Sequence, residues 1–190
     1  IFADDLNGFK LFPNATSNDE ILVDINRCRE ELHGWGRANR VEFDANKESK
    51  HVISKISSTS ENFLLLGIDF DCKLLMHDAI RSYTISVSWK LKSLLRIRRF
   101  HSTMEMVQLY KSHILSFIKY RTSAFIYVAP TIIRPLDHIQ EDFLKSIGIS
   151  TFDALIDFNL APLHIRRDIA ALAVIHRAIL RKGPRHFHYF

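Results

Sequence analysis

Asp4 and Asp5 stand side by side between the apolar run Ile1-Phe2-Ala3 and Leu6, with Asn7-Gly8 next and Phe9-Lys10-Leu11 after. Asp is depleted in strand interiors, and Asn-Gly between apolar runs marks a tight hairpin turn. The stretch therefore reads as strand, acidic tip, strand. Two readings of the acids stay open. One is a solvated turn. The other is a metal site: two carboxylates on a rigid tip suit Mg2+, which prefers hard oxygen ligands and takes only one or two from protein. A calcium loop fits badly, because with Gly8 as the loop glycine its first ligand falls on Ala3 and its last on Asn14.

The second constellation is basic. Lys90, Lys92, Arg96, Arg98 and Arg99 crowd the later turns of a helical stretch, either to track a phosphate backbone or as a solvated helix face. The tail Arg185-His186-Phe187-His188-Tyr189-Phe190 mixes basic and aromatic residues, as single-strand stacking surfaces do; a segment of unfinished core has the same composition. His164, His176, His186 and His188 lack cysteine partners at zinc spacing, and His176, on an apolar helical face, reads as a partly buried packing residue. No Gly-x-Ser-x-Gly elbow occurs, so hydrolase chemistry has no support.

Composition sets the frame. The 190 residues are 47% hydrophobic and 25% charged, which indicates a globular chain of one domain or two small ones. A formal net charge of +5 is a modest excess and does not by itself require a nucleic-acid partner. Cys28 and Cys72 allow one disulfide at most, and free thiols are the default. No apolar run reaches membrane-spanning length and no signal peptide is evident, so no membrane partner is expected. The chain starts at Ile1 in mid-strand, as a fragment of something longer would.

Ser17-Asn18-Asp19-Glu20 has the capping-box form, and Ile21, Leu22, Ile25, Cys28, Leu32 and Trp35 follow on one helical face, with Gly34 and Gly36 as the stop. That helix is expected to lie on a sheet. Residues 40–44 and 51–54 read as strands. Residues 63–71 read as an apolar strand interrupted by Gly67, which suggests a bulge or a close backbone approach. Asp71-Cys72-Lys73 would turn the chain into a short return strand at Leu74-Leu75.

From Asp78 the period becomes helical. Ile80, Tyr83, Val87, Leu91 and Leu94 share a face; Ser102-Thr103-Met104-Glu105 opens a second helix; Pro130 and Pro135 bracket the start of a third, stopped by Gly148. Residues 152–158 suit a short helix, and Pro162 precedes a last one stopped by Gly183-Pro184. The fold class is α+β: a small antiparallel sheet with one packed helix, then an all-helical region, with a seam near Leu75 to His77.

Phe2-Ala3-Asp4-Asp5, with the order of elements after it, resembles a reverse transcriptase, specifically the non-LTR (LINE-type) retrotransposon branch, in which Ala between the aromatic and the acids is favoured. Leu32-His33-Gly34-Trp35 is similar to the end of that family's helix, residues 41–47 to its strand and lysine turn, and residues 63–69 to its primer grip, a strand-turn-strand around Leu-Gly. Leu109-Tyr110-Lys111 to Tyr120 resembles a thumb helix. Leu136-Asp137-His138-Ile139-Gln140, Leu160-Ala161-Pro162-Leu163 and Arg166-Arg167-Asp168 resemble segments downstream of it. The resemblance spans essentially the whole chain and implies a partial palm over residues 1–76, and a thumb with downstream helices over 77–190.

The resemblance implies an RNA-directed DNA polymerase that adds deoxynucleotides to a primer 3′-end with Mg2+. Asp4 and Asp5 would bind the metal, and Lys47 would meet the incoming triphosphate. Phe2 and Ala3 would lie near the primer end, and Leu66, Gly67 and Ile68 would hold the primer backbone. The basic run from Lys90 to Arg99 would face the duplex. Implied partners are an RNA template, a DNA primer and deoxynucleoside triphosphates. A retroelement product implies a nuclear setting. The family's fingers and its other essential aspartate precede the Asp-Asp tip, so the expected partners include the missing upstream fingers and palm of the same polypeptide. The 190-residue chain is expected to be inactive alone. The alternative is a non-catalytic nucleic-acid-binding remnant of a degenerate retroelement.

Overall fold

A computed structural model describes residues 7–13, 15–54 and 62–182. The chain divides into two compact units, residues 1–51 and 52–190. The protein is mostly helical with one small two-stranded antiparallel sheet, broadly α+β.

The first unit is built on one helix, α1 (Asn18–Asn39). The expected capping box opens it: the Ser17 hydroxyl accepts the Glu20 N–H while Glu20 accepts the Ser17 N–H. Neither Gly34 nor Gly36 stops the helix, which ends at Arg40 in the left-handed region (φ 57°). Gly36 serves another purpose. A Cβ there would stand 2.6 Å from the Val41 carbonyl oxygen and 2.8 Å from the Phe43 ring. The bare backbone lets the chain turn back against the helix, with the Val41 N–H donating to the Gly36 carbonyl at 2.8 Å.

The returning segment is irregular. Residues 40–44 form no strand, because their partner is a helix with no free ladder to offer. Side chains fasten the segment instead: Phe43 meets the His33 ring edge-on at 5.7 Å, Glu48 pairs with Arg29 and His33, and Lys50 bonds Asn26. On the other side, Lys10 pairs with Asp24. No sheet lies under α1 among the described residues. Gly36 is the one residue of α1 that is buried, and Trp35 on the expected apolar face is exposed.

The second unit holds the core. β1 (Phe63–Leu65) and β2 (Ile68–Phe70) form a hairpin with Leu65 opposite Ile68 and Phe63 opposite Phe70. Gly67 marks a turn here, not a bulge within one strand. Residues 51–54 and Leu74-Leu75 are not strands; the Ser54 N–H makes a single bond to the Cys72 carbonyl. The change from strand to helix near residues 75–77 lies inside this unit.

Five helices follow. They are α2 (His77–Arg96); α3, which runs on through Thr103–Leu109, a π-helical Tyr110–Leu115 and Ser116–Arg121; α4 (Pro130–Ile147); α5 (Thr151–Ile156); and α6 (Leu163–Ile179). The α2 stripe read from the sequence is the buried one: Ile80, Tyr83, Val87, Leu91 and Leu94. It packs on α4 through Leu136, Ile139, Phe143 and Leu144, and Tyr110 of α3 stacks on Phe143 at 4.2 Å between centroids. Gly148 caps α4 in the left-handed region, while Pro135 lies inside the helix. Only Leu163 of α6 is buried. His176 is exposed, not packed as its apolar neighbours suggested, because nothing among the described residues covers that face. The Gly183-Pro184 stop lies outside the described residues, as does the tail after it.

Candidate nucleic-acid interface

Phe2, Ala3, Asp4 and Asp5 lie outside the described residues. Among the described residues no three His, Cys, Asp or Glu side chains gather as a metal site.

Lys47 sits at the end of a turn in the first unit. The Asp44 carboxylate accepts the Asn46 N–H at 3.0 Å, and the Asp44 carbonyl accepts the Lys47 N–H at 3.0 Å. The neighbouring Glu48 anchors this turn to α1. Partial desolvation works to raise its pKa, but hydrogen bonds from Arg29 and His33, with their charges, hold its carboxyl below the ordinary value. The Lys47 side chain is exposed and joins no ion pair among the described residues.

Leu66, Gly67 and Ile68 make the hairpin tip. Leu66 (φ 50°) and Gly67 (φ 75°) both occupy the left-handed region, as a two-residue type I′ turn demands. Leucine is an uncommon choice there. Leu66 points to solvent at 64% exposure, whereas Ile68, at 8%, belongs to the core. The three residues thus divide between surface and interior.

After the hairpin, Asp71 builds the entry into α2. Its carboxylate accepts the backbone N–H groups of Lys73, Leu75 and Met76. Partial burial opposes its charge, but the bonds from Leu75, Met76 and Lys73 outweigh that and hold its pKa below the usual value. These bonds fix a loop in which Leu74 (φ 55°) and Met76 (φ 61°) are both left-handed. The loop takes the place of the return strand expected at Leu74-Leu75.

The five cations do not form one surface. Lys92 and Arg96 lie on the outer stripe of α2 with Ile85 and Trp89, spaced one and two turns apart. Trp89 is 61% exposed and Lys92 lies over its ring at 5.3 Å. Lys90 turns toward the core margin and covers the Phe117 ring at 4.7 Å. Arg98 donates to the Ser146 carbonyl at 3.0 Å, and Arg99 lies over Phe100 at 4.6 Å. None of the five is in an ion pair among the described residues. One reason is compositional: between Asp78 and Asp137 the single acid is Glu105, against ten lysines and arginines. Glu105 is itself committed to the Ser102 cap, whose N–H and hydroxyl bonds hold its pKa low.

Farther along, segments that are distant in sequence meet. Arg167 of α6 makes a two-pronged pair with Asp137 of α4 at 2.6 and 2.7 Å. Arg166 donates to the Asn159 and Ala161 carbonyls, Gln140 to Ala161, and Lys111 to Phe158. Three long side chains, Arg166, Gln140 and Lys111, thus hold the connection between α5 and α6. Sequence reasoning also passed over Arg121, which stacks on Tyr83 and Phe117 at 4.6 and 5.4 Å. Its one sequence signal is its place in the acid-poor stretch.

No protein-family model matches the chain, and neither a curated protein nor a solved structure is significantly similar to it.

Proposed function

We propose that the chain is a palm and thumb piece of a LINE-like RNA-directed DNA polymerase, and that its helical unit grips nucleic acid. The observation that supports this most is the outer stripe of α2, where Trp89, Lys92 and Arg96 are exposed and no carboxylate among the described residues pairs with the two cations. Unpaired cations beside an exposed indole suit a phosphate backbone with a base or sugar against the ring. A hairpin with Leu66-Gly67 at its exposed tip directly precedes that helix, in the order the resemblance requires.

In this reading Asp4 and Asp5 hold Mg2+ through hard carboxylate oxygens. The metal supplies charge stabilisation for transfer of a nucleotidyl group to a primer hydroxyl. Lys47, exposed on its turn, meets phosphate. A second reading, binding without chemistry, is favoured by the same α2 stripe, because Lys92 and Arg96 can meet phosphate with no metal present.

The test is binding of an RNA–DNA hybrid by the purified chain across a salt series. The expected result is affinity that falls steeply with salt. K92Q combined with R96Q should weaken binding about tenfold and lower the log–log slope by about 2. Salt-independent binding, or a double variant equal to the parent, overturns the reading. Primer extension separates the two versions. The chain alone is expected to bind without extending, and template-dependent synthesis that is lost in D4A with D5A would establish the catalytic one.

A further inference from the structure

Arg121, at the end of α3, is held in an unusual way. Its guanidinium lies over the Tyr83 ring at 4.6 Å and near the Phe117 ring at 5.4 Å. Its Nε is buried and has no hydrogen-bond partner. The side chain makes no ion pair and no hydrogen bond among the described residues, although a guanidinium carries five donors. The Nη groups are not among the buried unpartnered atoms, so they keep access to solvent. A half-buried cation whose Nε–H is buried and unmatched is costly by itself. Stacking on two rings offsets part of that cost and leaves the donors open.

What surrounds it is all of one kind. Lys90 lies against the same Phe117 ring at 4.7 Å, so the two charges fall within about a Debye length of each other, ~10 Å. Nη2 stands 3.7 Å from where a Cβ on Gly67 would be, which places the guanidinium against the left-handed hairpin tip. Asp69, the carboxylate of that hairpin, pairs with neither cation. Neither cation has an ion-pair partner among the described residues, so the positive charge around this ring is left unbalanced.

We infer that Arg121 and Lys90, beneath the Leu66-Gly67 turn, form a binding site for a phosphate oxyanion. Under the function proposed above, that group is a phosphodiester of the bound strand, so this assignment of the source rests on that reading. Arg121 presents the planar fork that matches two phosphate oxygens, and Lys90 adds a point charge. Gly67 leaves room for the strand to approach the turn. The hairpin tip and the helical unit would then hold the same phosphate. The apolar tip residue Leu66 cannot do this itself.

The experiment follows the Arg121 Nε–H resonance in 15N-labelled full-length chain. It is titrated with inorganic phosphate, with chloride at equal ionic strength, and with an RNA–DNA hybrid. R121K and R121Q are compared in the hybrid-binding assay. The expected result is a saturable shift with phosphate and with hybrid but not with chloride. R121Q should weaken hybrid affinity about fivefold to tenfold and lower the salt slope by about 1, with R121K between it and the parent. A shift with phosphate but no hybrid binding keeps the site and overturns the strand as its source. Hybrid binding that leaves the Arg121 resonance unmoved overturns the site and leaves the proposed function standing. A response no different from chloride, with no hybrid binding, overturns both.

Discussion

Asp71 shows how one side chain can set the course of a chain. Three backbone N–H groups converge on its carboxylate, and two left-handed residues in the loop depend on them. D71N keeps the shape but exchanges a charged acceptor for a neutral one, and should cost about 1–2 kcal/mol. The pH dependence has a definite sign. The folded pKa is depressed, so the stabilisation is complete above the unfolded value near ~3.9 and is lost as pH falls through the folded value. Urea unfolding across a descending pH series should therefore show the gap between parent and D71N constant near neutrality and narrowing as pH falls below about 4. A gap that does not narrow in acid would assign the effect to shape instead of charge.

At the scale of elements, the α4–α6 contact depends on polar groups more than on apolar ones. Leu163 is the one buried residue of α6, and the Arg167–Asp137 pair, with side chains 13% and 18% exposed, spans the two helices. Removing one partner leaves the other partly buried and unpaired, at a cost of about 2–3 kcal/mol; removing both should cost less than the sum. A double-mutant cycle with R167A and D137A, read by thermal unfolding, should return a coupling of about 1–2 kcal/mol. Additive losses would mean that the helices are joined by packing alone.

At the scale of the whole molecule, the two units are unequal. The core runs from Ile68 to Leu163 and lies wholly within residues 52–190, whereas the described part of residues 1–51 buries only Gly36. A single helix fastened by surface ion pairs has little to hold it. Residues 52–190 alone should melt cooperatively with strong helical circular dichroism. Residues 1–51 alone should show weak, broadly melting helicity. A sharp transition in the shorter piece would show that ion pairs and Gly36 packing suffice.

The sequence by itself determined the elements whose cause is local. The capping boxes at Ser17 and Ser102, the apolar stripe of α2 and the Gly148 cap could be read directly, because each depends on residues within a turn or two. Only the tertiary structure decided what depended on partners. Residues 40–44 and 51–54 alternate like strands, yet find no ladder. Gly36 looks like a stop but makes room for a returning chain. Of the five cations read as one run, Arg98 is taken by a carbonyl from α4 and Lys90 by a ring from α3. Arg121 attracted no notice in the sequence, because its significance lies in what fails to surround it. An unmatched donor is visible only once every neighbour has been placed.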